Sequence, residues 1–220
     1  DSLAMGIGGY RVAPYSPWWT MCPPVLSLFS DRGADLIHTA ADYGMFFRRP
    51  RVPLVLTMHG YVLDRFMRAY SSPLQSLHYR TDLRLFTRMG LAVADRVVAV
   101  SRFIADMLQR DLGFDGQVRV IHNGVDTEMF SPARTRQQPR PFRVLFCGNL
   151  KRVKRPELLL PLANALGRGF EIQYTAGLSG GGPLAGRLAP DAAELRCLGR
   201  IPHRQMPTVY QSVNALFMPS

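Results

Sequence analysis

The chain has 220 residues, 47% of them apolar and 20% charged, a composition that fills a core and excludes a disordered polymer. Its longest apolar stretches, such as residues 53–58 and 158–162, fall far short of the roughly 18 to 20 residues that a membrane span requires. The net charge of +11 is almost wholly arginine, scattered from Arg11 to Arg204 with no basic block or arm, which argues against nucleic acid as a partner.

Taken in chain order, hydrophobic runs and their punctuation predict a helix over residues 21–32, a strand over 35–39 and a helix over 41–48. A strand over 53–58 leads to a long helix over 73–92, a strand over 96–100, a helix over 102–112 and a strand over 118–122. Residues 131–141 then carry three prolines, three arginines and no apolar run, which is linker chemistry. Beyond it the pattern resumes with a strand over 143–147, a helix over 156–167, strands over 171–175 and 194–197, a helix over 204–213 and a strand over 214–218. Short apolar strands alternating with helices predict an α/β class with parallel sheets buried on both faces. The linker divides them into two Rossmann-like, doubly wound domains, residues 1–131 and 142–220, joined by residues 132–141. The second domain closes on a strand with no helix to cover it, so both domains are expected to be incomplete pieces of a longer chain.

In such sheets ligands bind beyond the carboxyl ends of the strands, so chemistry is sought there. The strand over 53–58 runs into His59 and Gly60, an imidazole at a strand mouth followed by a residue that permits a sharp turn. A histidine satisfied by loop backbone is an equal alternative. The strand over 96–100 ends at Ser101, an N-cap for the next helix, whose amino end with Arg102 favours an anion. After the linker, Gly148 follows a strand and is trailed by Asn149, Lys151, Arg152, Lys154, Arg155 and Pro156, a reasonable phosphate cradle that a solvated basic loop explains as often. The glycine-rich run over 176–183 predicts flexibility alone. Arg80, Arg84 and Arg88 recur every four residues on a helix whose other face carries Leu77, Leu85, Phe86 and Met89. A solvated face is the commoner outcome of such a stripe, and contact with an anionic membrane the rarer one. Cys22, Cys147 and Cys197 lack CxxC spacing, and His78, His122 and His203 share no ligand spacing, so no metal site is expected. No basic-then-apolar leader is visible, and a cytoplasmic location is expected.

Several of these pieces, in this order, resemble glycosyltransferase family 4, whose members have the two-domain GT-B architecture. Asp35-Leu36-Ile37-His38 resembles the family's strand ending in histidine, and Thr57-Met58-His59-Gly60 its threonine-x-histidine-glycine strand end. Ala94-Asp95-Arg96-Val97-Val98-Ala99-Val100-Ser101 resembles the strand leading to its serine, and His122-Asn123-Gly124-Val125-Asp126 with Phe130-Ser131-Pro132 its hinge signature. Val144-Leu145-Phe146-Cys147-Gly148 with Lys154 is similar to the family's donor-phosphate loop, and Leu198-Gly199-Arg200-Ile201-Pro202 and Ala215-Leu216-Phe217-Met218-Pro219-Ser220 to later stretches of the same domain.

The resemblance implies a retaining glycosyltransferase of hexosyltransferase type, moving a sugar from a nucleotide-sugar donor to an acceptor hydroxyl. No cofactor or essential metal is implied. Gly148, Asn149 and Lys154 would meet the donor phosphates, Arg200 and Ile201 the base, and His59 the reacting sugar. Gly60, Ser101, Arg102 and Asn123 would shape the acceptor side. Asn149 departs from the arginine usual at its position, and the family's paired glutamates would follow Ser220, so the segment itself is expected to be inactive. The implied partners are the donor and a sugar or lipid-linked acceptor in polysaccharide, lipopolysaccharide or glycolipid synthesis, with peripheral contact at the inner face of the membrane. A sugar-nucleotide epimerase of the same architecture and a non-catalytic sugar- or nucleotide-binding protein stay open beside it.

Overall fold

A computed structural model describes residues 22–29, 33–133, 140–176 and 186–219. It contains two compact units that divide between Gly124 and Val125.

The first unit is built on a four-stranded parallel sheet in the order β1 (Ile37–Ala40), β2 (Leu54–Met58), β3 (Arg96–Ala99), β4 (Val118–Val120). Between β2 and β3 lie α1 (Pro73–Arg80) and α2 (Asp82–Val93), and α3 (Arg102–Leu112) joins β3 to β4. One face of the sheet presents Leu54, Leu56, Met58, Val97 and Ala99, which pack with Leu91 of α2 and Ile104, Met107 and Leu108 of α3. Leu54, Leu56 and Leu108 are fully buried.

The second unit repeats the plan with the parallel order β7 (Glu194–Gly199), β6 (Phe170–Thr175), β5 (Phe142–Phe146), β8 (Ala215–Leu216). Its helices are α4 (Leu159–Leu166) and α5 (Met206–Gln211). Val144, Phe146, Ile172, Leu159 and Ala163 form its core.

All eight predicted strands are present, β2, β3 and β5 as mainly apolar runs and β4, β6 and β7 with polar residues inside them. The helices differ more. The segments expected as helices over 21–32 and 41–48 are 3-10 turns, Pro23–Phe29 and Gly44–Phe47, and the helix over 156–167 starts with the 3-10 turn Pro156–Leu158. Residue 21, residues 30–32 and linker residues 134–139 lie outside the described residues, as does most of the glycine-rich run.

The helix expected over 73–92 breaks at Thr81, whose φ of −107° and ψ of −99° leave the helical region. The Thr81 hydroxyl donates to the Leu77 carbonyl (2.8 Å), and α2 restarts at Asp82. The break changes the phase of the pattern. The buried face of α2 is Leu83, Thr87, Gly90 and Leu91, while of the residues opposite the arginines Leu77, Leu85 and Met89 are exposed and Phe86 is half-buried. Thr87 is tolerated in that core because its hydroxyl donates to the Leu83 carbonyl, and Gly90 because an added Cβ would lie 3.3 Å from the Ala41 carbonyl oxygen. The arginine stripe is likewise divided: Arg80 ends α1, and Arg84 donates to the Asp111 carbonyl at the end of α3.

Both units use one device at the amino-terminal end of the sheet. Asp95, just before β3, donates its backbone N–H to the Leu54 carbonyl (2.9 Å) and accepts the Leu54 N–H on its carboxylate (2.8 Å). Asn214, just before β8, does the same to Arg143, with distances of 2.9 Å and 2.8 Å. The Leu54 bond is the first cause of a lowered Asp95 pKa, followed by the bond from Arg48.

Candidate functional site

In the first unit, the parallel register brings the predicted residues to one edge of the sheet. Met58 pairs with Ala99 and Ala99 with Val120, so His59, Val100 and Ile121 follow at adjacent strand mouths. The edge is tied by the Val100 N–H to the Met58 carbonyl (3.3 Å) and the Ile121 N–H to the Ala99 carbonyl (3.0 Å). His59 and Gly60 are exposed there. Gly60 has no left-handed backbone, and a Cβ at that position would meet nothing within 4 Å.

Ser101 caps α3 as expected, accepting the Ile104 N–H at 3.3 Å, and Gly113 closes the helix with φ +64°. Arg102, the first residue of α3, is exposed, as is Asn123. His122 is engaged: its ring N–H donates to the Val100 carbonyl at 3.0 Å. His38 is also structural, its Nε2 lying 2.7 Å from Thr57 Oγ1.

Two features of this unit escaped the sequence reading. Tyr61, two residues past His59, is buried in the core, and burial together with the Asp111 charge pushes its hydroxyl up to about 12. At the end of β1, burial raises the Asp42 carboxyl against the opposing pull of His78, which itself lies 2.7 Å from Asp82 and 3.2 Å from the Tyr43 hydroxyl.

In the second unit, Gly148 leaves β5 beside the end of β6. Its N–H donates to Thr175 Oγ1 (3.0 Å), and that hydroxyl donates in turn to the Gly148 carbonyl (3.3 Å). A Cβ on Gly148 would stand 3.9 Å from Lys154 Cγ, so the lysine stem lies alongside the glycine. Lys154 ends the 3-10 turn Arg152–Lys154, its N–H donating to the Lys151 carbonyl at 2.8 Å. Arg155 then takes a left-handed backbone (φ 54°) and pairs with Glu157 at 3.5 Å, and Pro156 opens the next turn. Asn149, Lys151 and Arg152 are exposed.

Thr175 is in register with Gly199, whose φ of +67° ends β7, and Arg200 and Ile201 follow, the arginine exposed and the isoleucine half-buried. The Ala176 N–H to the Gly199 carbonyl (2.9 Å) ties the two strand ends. Gly148 is thus bonded to Thr175 and flanked by the Lys154 stem, with Arg200 and Ile201 one strand beyond.

Tyr210 of α5 donates to Cys147 Sγ at 3.5 Å, the residue before Gly148, and this bond with burial pushes the phenol up to about 12. The Tyr210 ring also lies 6.1 Å from Phe130, which stacks edge-on against His203 at 5.2 Å.

A cavity of about 1230 Å³ in this unit lies at the opposite end of β5, lined by Phe130, Arg140, Phe142, Gly169, Gln211 and Asn214 among others. It does not touch Gly148 or Lys154. Among the described residues no group of three His, Cys, Asp or Glu could hold a metal ion, and no helix is long and apolar enough to cross a membrane.

Residues 7–129 match the profile of Glycosyltransferase Family 4. A D-inositol 3-phosphate glycosyltransferase from Nocardiopsis dassonvillei is 32% identical over 169 residues, which cover 69% of this chain and 38% of that protein. Among solved structures, sucrose-phosphate synthase from Thermosynechococcus elongatus superposes with a TM-score of 0.67 at 20% identity, over 89% of this chain and 53% of its own. A glycosyltransferase from Rickettsia africae superposes with a TM-score of 0.59 at 16% identity, over 96% of this chain and 58% of its own. The chain therefore spans between about two fifths and three fifths of the proteins it resembles. The two parallel sheets with their helices have the GT-B fold seen in these structures. With more than half of its length matching the profile, the chain belongs to glycosyltransferase family 4.

Proposed function

We propose that the whole protein is a retaining hexosyltransferase that moves a sugar from a nucleotide-sugar donor to a sugar or lipid-linked acceptor. Its products would be cell-envelope polysaccharide, lipopolysaccharide or glycolipid, made in the cytoplasm at the inner face of the membrane. The observation that carries this reading is the Gly148, Lys154 and Thr175 arrangement at the mouths of β5 and β6. Negative charge develops on the leaving diphosphate as the glycosidic bond to it breaks, and donors fixed in advance around that position stabilise it. Thr175 fixes the Gly148 peptide before any ligand arrives, and Lys154, with Lys151 and Arg152 in the same loop, supplies positive charge. Arg200 and Ile201 would take the base. His59, Gly60, Ser101, Arg102 and Asn123 would serve the acceptor side of the reaction, His59 at the reacting sugar, without metal or cofactor.

The test uses the full-length gene product with a panel of nucleotide sugars, reading donor consumption and the anomeric configuration of the product by NMR. Turnover with retention is expected. Lys154→Ala should raise the donor KM, and His59→Ala should lower kcat while leaving nucleotide binding intact. The 220-residue segment alone should bind donor weakly and not turn over. A second reading, a non-catalytic nucleotide-sugar binder, is favoured by Asn149 at the position of the usual arginine. Donor binding by the full-length protein without turnover would select it and refute the enzyme. An epimerase would instead interconvert the donor sugar with no acceptor present.

A further inference from the structure

We infer that the outward faces of α1 and α2 form a docking surface for an anionic lipid bilayer. This deepens the membrane part of the reading above and rests on it only for its biological setting, since lipid binding is measured without sugar transfer.

The first observation is that α2 is apolar on two sides. Leu83, Gly90 and Leu91 are buried on one side, while Leu85, Met89 and Val93, at i, i+4 and i+8 on the opposite side, are 55%, 42% and 41% exposed. A helix lying on a soluble core carries polar residues on its outer face, so a second apolar strip is unaccounted for by the fold. α1 adds Leu74 and Leu77, 77% and 58% exposed, and buries no residue of its own. Single exposed leucines are ordinary, whereas five exposed apolar residues on two consecutive helices mark a surface that meets something.

Charge identifies the partner. Residues 65–93 contain Arg65, Arg68, Arg80, Arg84 and Arg88 against one acid, Asp82, whose carboxylate is held by His78 at 2.7 Å and Thr81 at 3.1 Å. Arg84 is engaged at the Asp111 carbonyl, but Arg80 and Arg88 are exposed on the helices that carry the strips. An apolar strip bordered by arginine matches the boundary between headgroups and acyl chains. Leucine and methionine sink below the phosphates, while the guanidinium groups extend to pair with them.

The test is sedimentation of the 220-residue chain with vesicles of phosphatidylcholine alone or mixed with phosphatidylglycerol. Binding to the mixed vesicles is expected, weakening as salt rises. The triple variant Leu77→Gln, Leu85→Gln, Met89→Gln leaves the net charge unchanged and should lower the partition coefficient at least about tenfold. A melting curve matching the wild type confirms that it folds. The double variant Arg80→Gln, Arg88→Gln should bind more weakly and with a shallower salt dependence. Three results would overturn the inference. The glutamine variant could bind as well as the wild type, which would mean diffuse attraction of a +11 chain to any anionic surface. The wild type could ignore both vesicles. Analytical ultracentrifugation could find a dimer that the glutamine variant abolishes, which would give the face to a second copy.

Discussion

Replacing Thr175 with valine removes the hydroxyl that holds the Gly148 peptide while keeping the shape of a side chain only 7% exposed. Two hydrogen bonds are lost, of 3.0 and 3.3 Å, and the half-buried Gly148 N–H is left without its acceptor. A net bond contributes about 1 kcal/mol and a stranded buried donor costs about 1 to 3 kcal/mol, so a total loss of about 1 to 3 kcal/mol is expected. For a folding unit of under 100 residues, each kcal/mol lowers the melting temperature by about 4 to 8 °C. Differential scanning calorimetry of the chain should therefore move the transition of the second unit, Val125–Ser220, down by at least about 4 °C and leave the first in place. Thr175→Ser, which keeps the oxygen, should recover most of the loss. In the full-length protein the valine variant should also raise the donor KM, because the loop that carries Gly148 and Lys154 is no longer held in place. A valine variant that melts within about 1 °C of wild type and binds donor equally would refute the idea that Thr175 organises this loop.

Three further outcomes are expected. Gly44→Ala would place a Cβ 2.3 Å from Cδ2 of the fully buried Leu56 and 3.3 Å from Thr39 Cγ2, so it should destabilise the first unit by about 1 to 3 kcal/mol in urea titrations. Burial alone would raise the Glu171 carboxyl, but bonds from Gln173 and Arg143 and the charges of Arg143 and Arg196 outweigh it and hold it below the ordinary 4.5. Its stabilisation is thus complete above that value and is lost as pH falls through the depressed one, so the second unit should weaken on acidification, and Glu171→Gln should flatten that dependence in pH-resolved melts. Asp95→Asn should melt closer to wild type than Asp95→Ala, because an amide oxygen can accept the Leu54 N–H as Asn214 accepts that of Arg143; equal losses would show that the carboxylate charge matters more than the bond.

Strands such as β2 and β5 were legible because they read as short, mainly apolar runs between polar or turn residues. The ends of α3 were legible because Ser101 and Gly113 are local signals that act through the residue itself. The break at Thr81 was not. Nothing in a periodic stretch that contains two threonines, Thr81 and Thr87, announces that the backbone leaves the helix at the first of them. Proximity of Lys154 to Gly148 was readable because both belong to one loop, whereas Thr175 lies 27 residues on and meets Gly148 only through the pairing of β5 with β6.

The grip of Asp95 on Leu54 and of Asn214 on Arg143 bears on how the sheets assemble. Parallel neighbours are brought together across long stretches of chain, 71 residues in the case of Asn214 and Arg143, and such pairings form slowly and invite misalignment. A slip by one residue would turn every side chain of the incoming strand to the wrong face. It would also forfeit two hydrogen bonds that only one alignment can make. The two side chains therefore act as alignment checks at the floor of each sheet, and β8, with only two residues in its ladder, depends on its check the most.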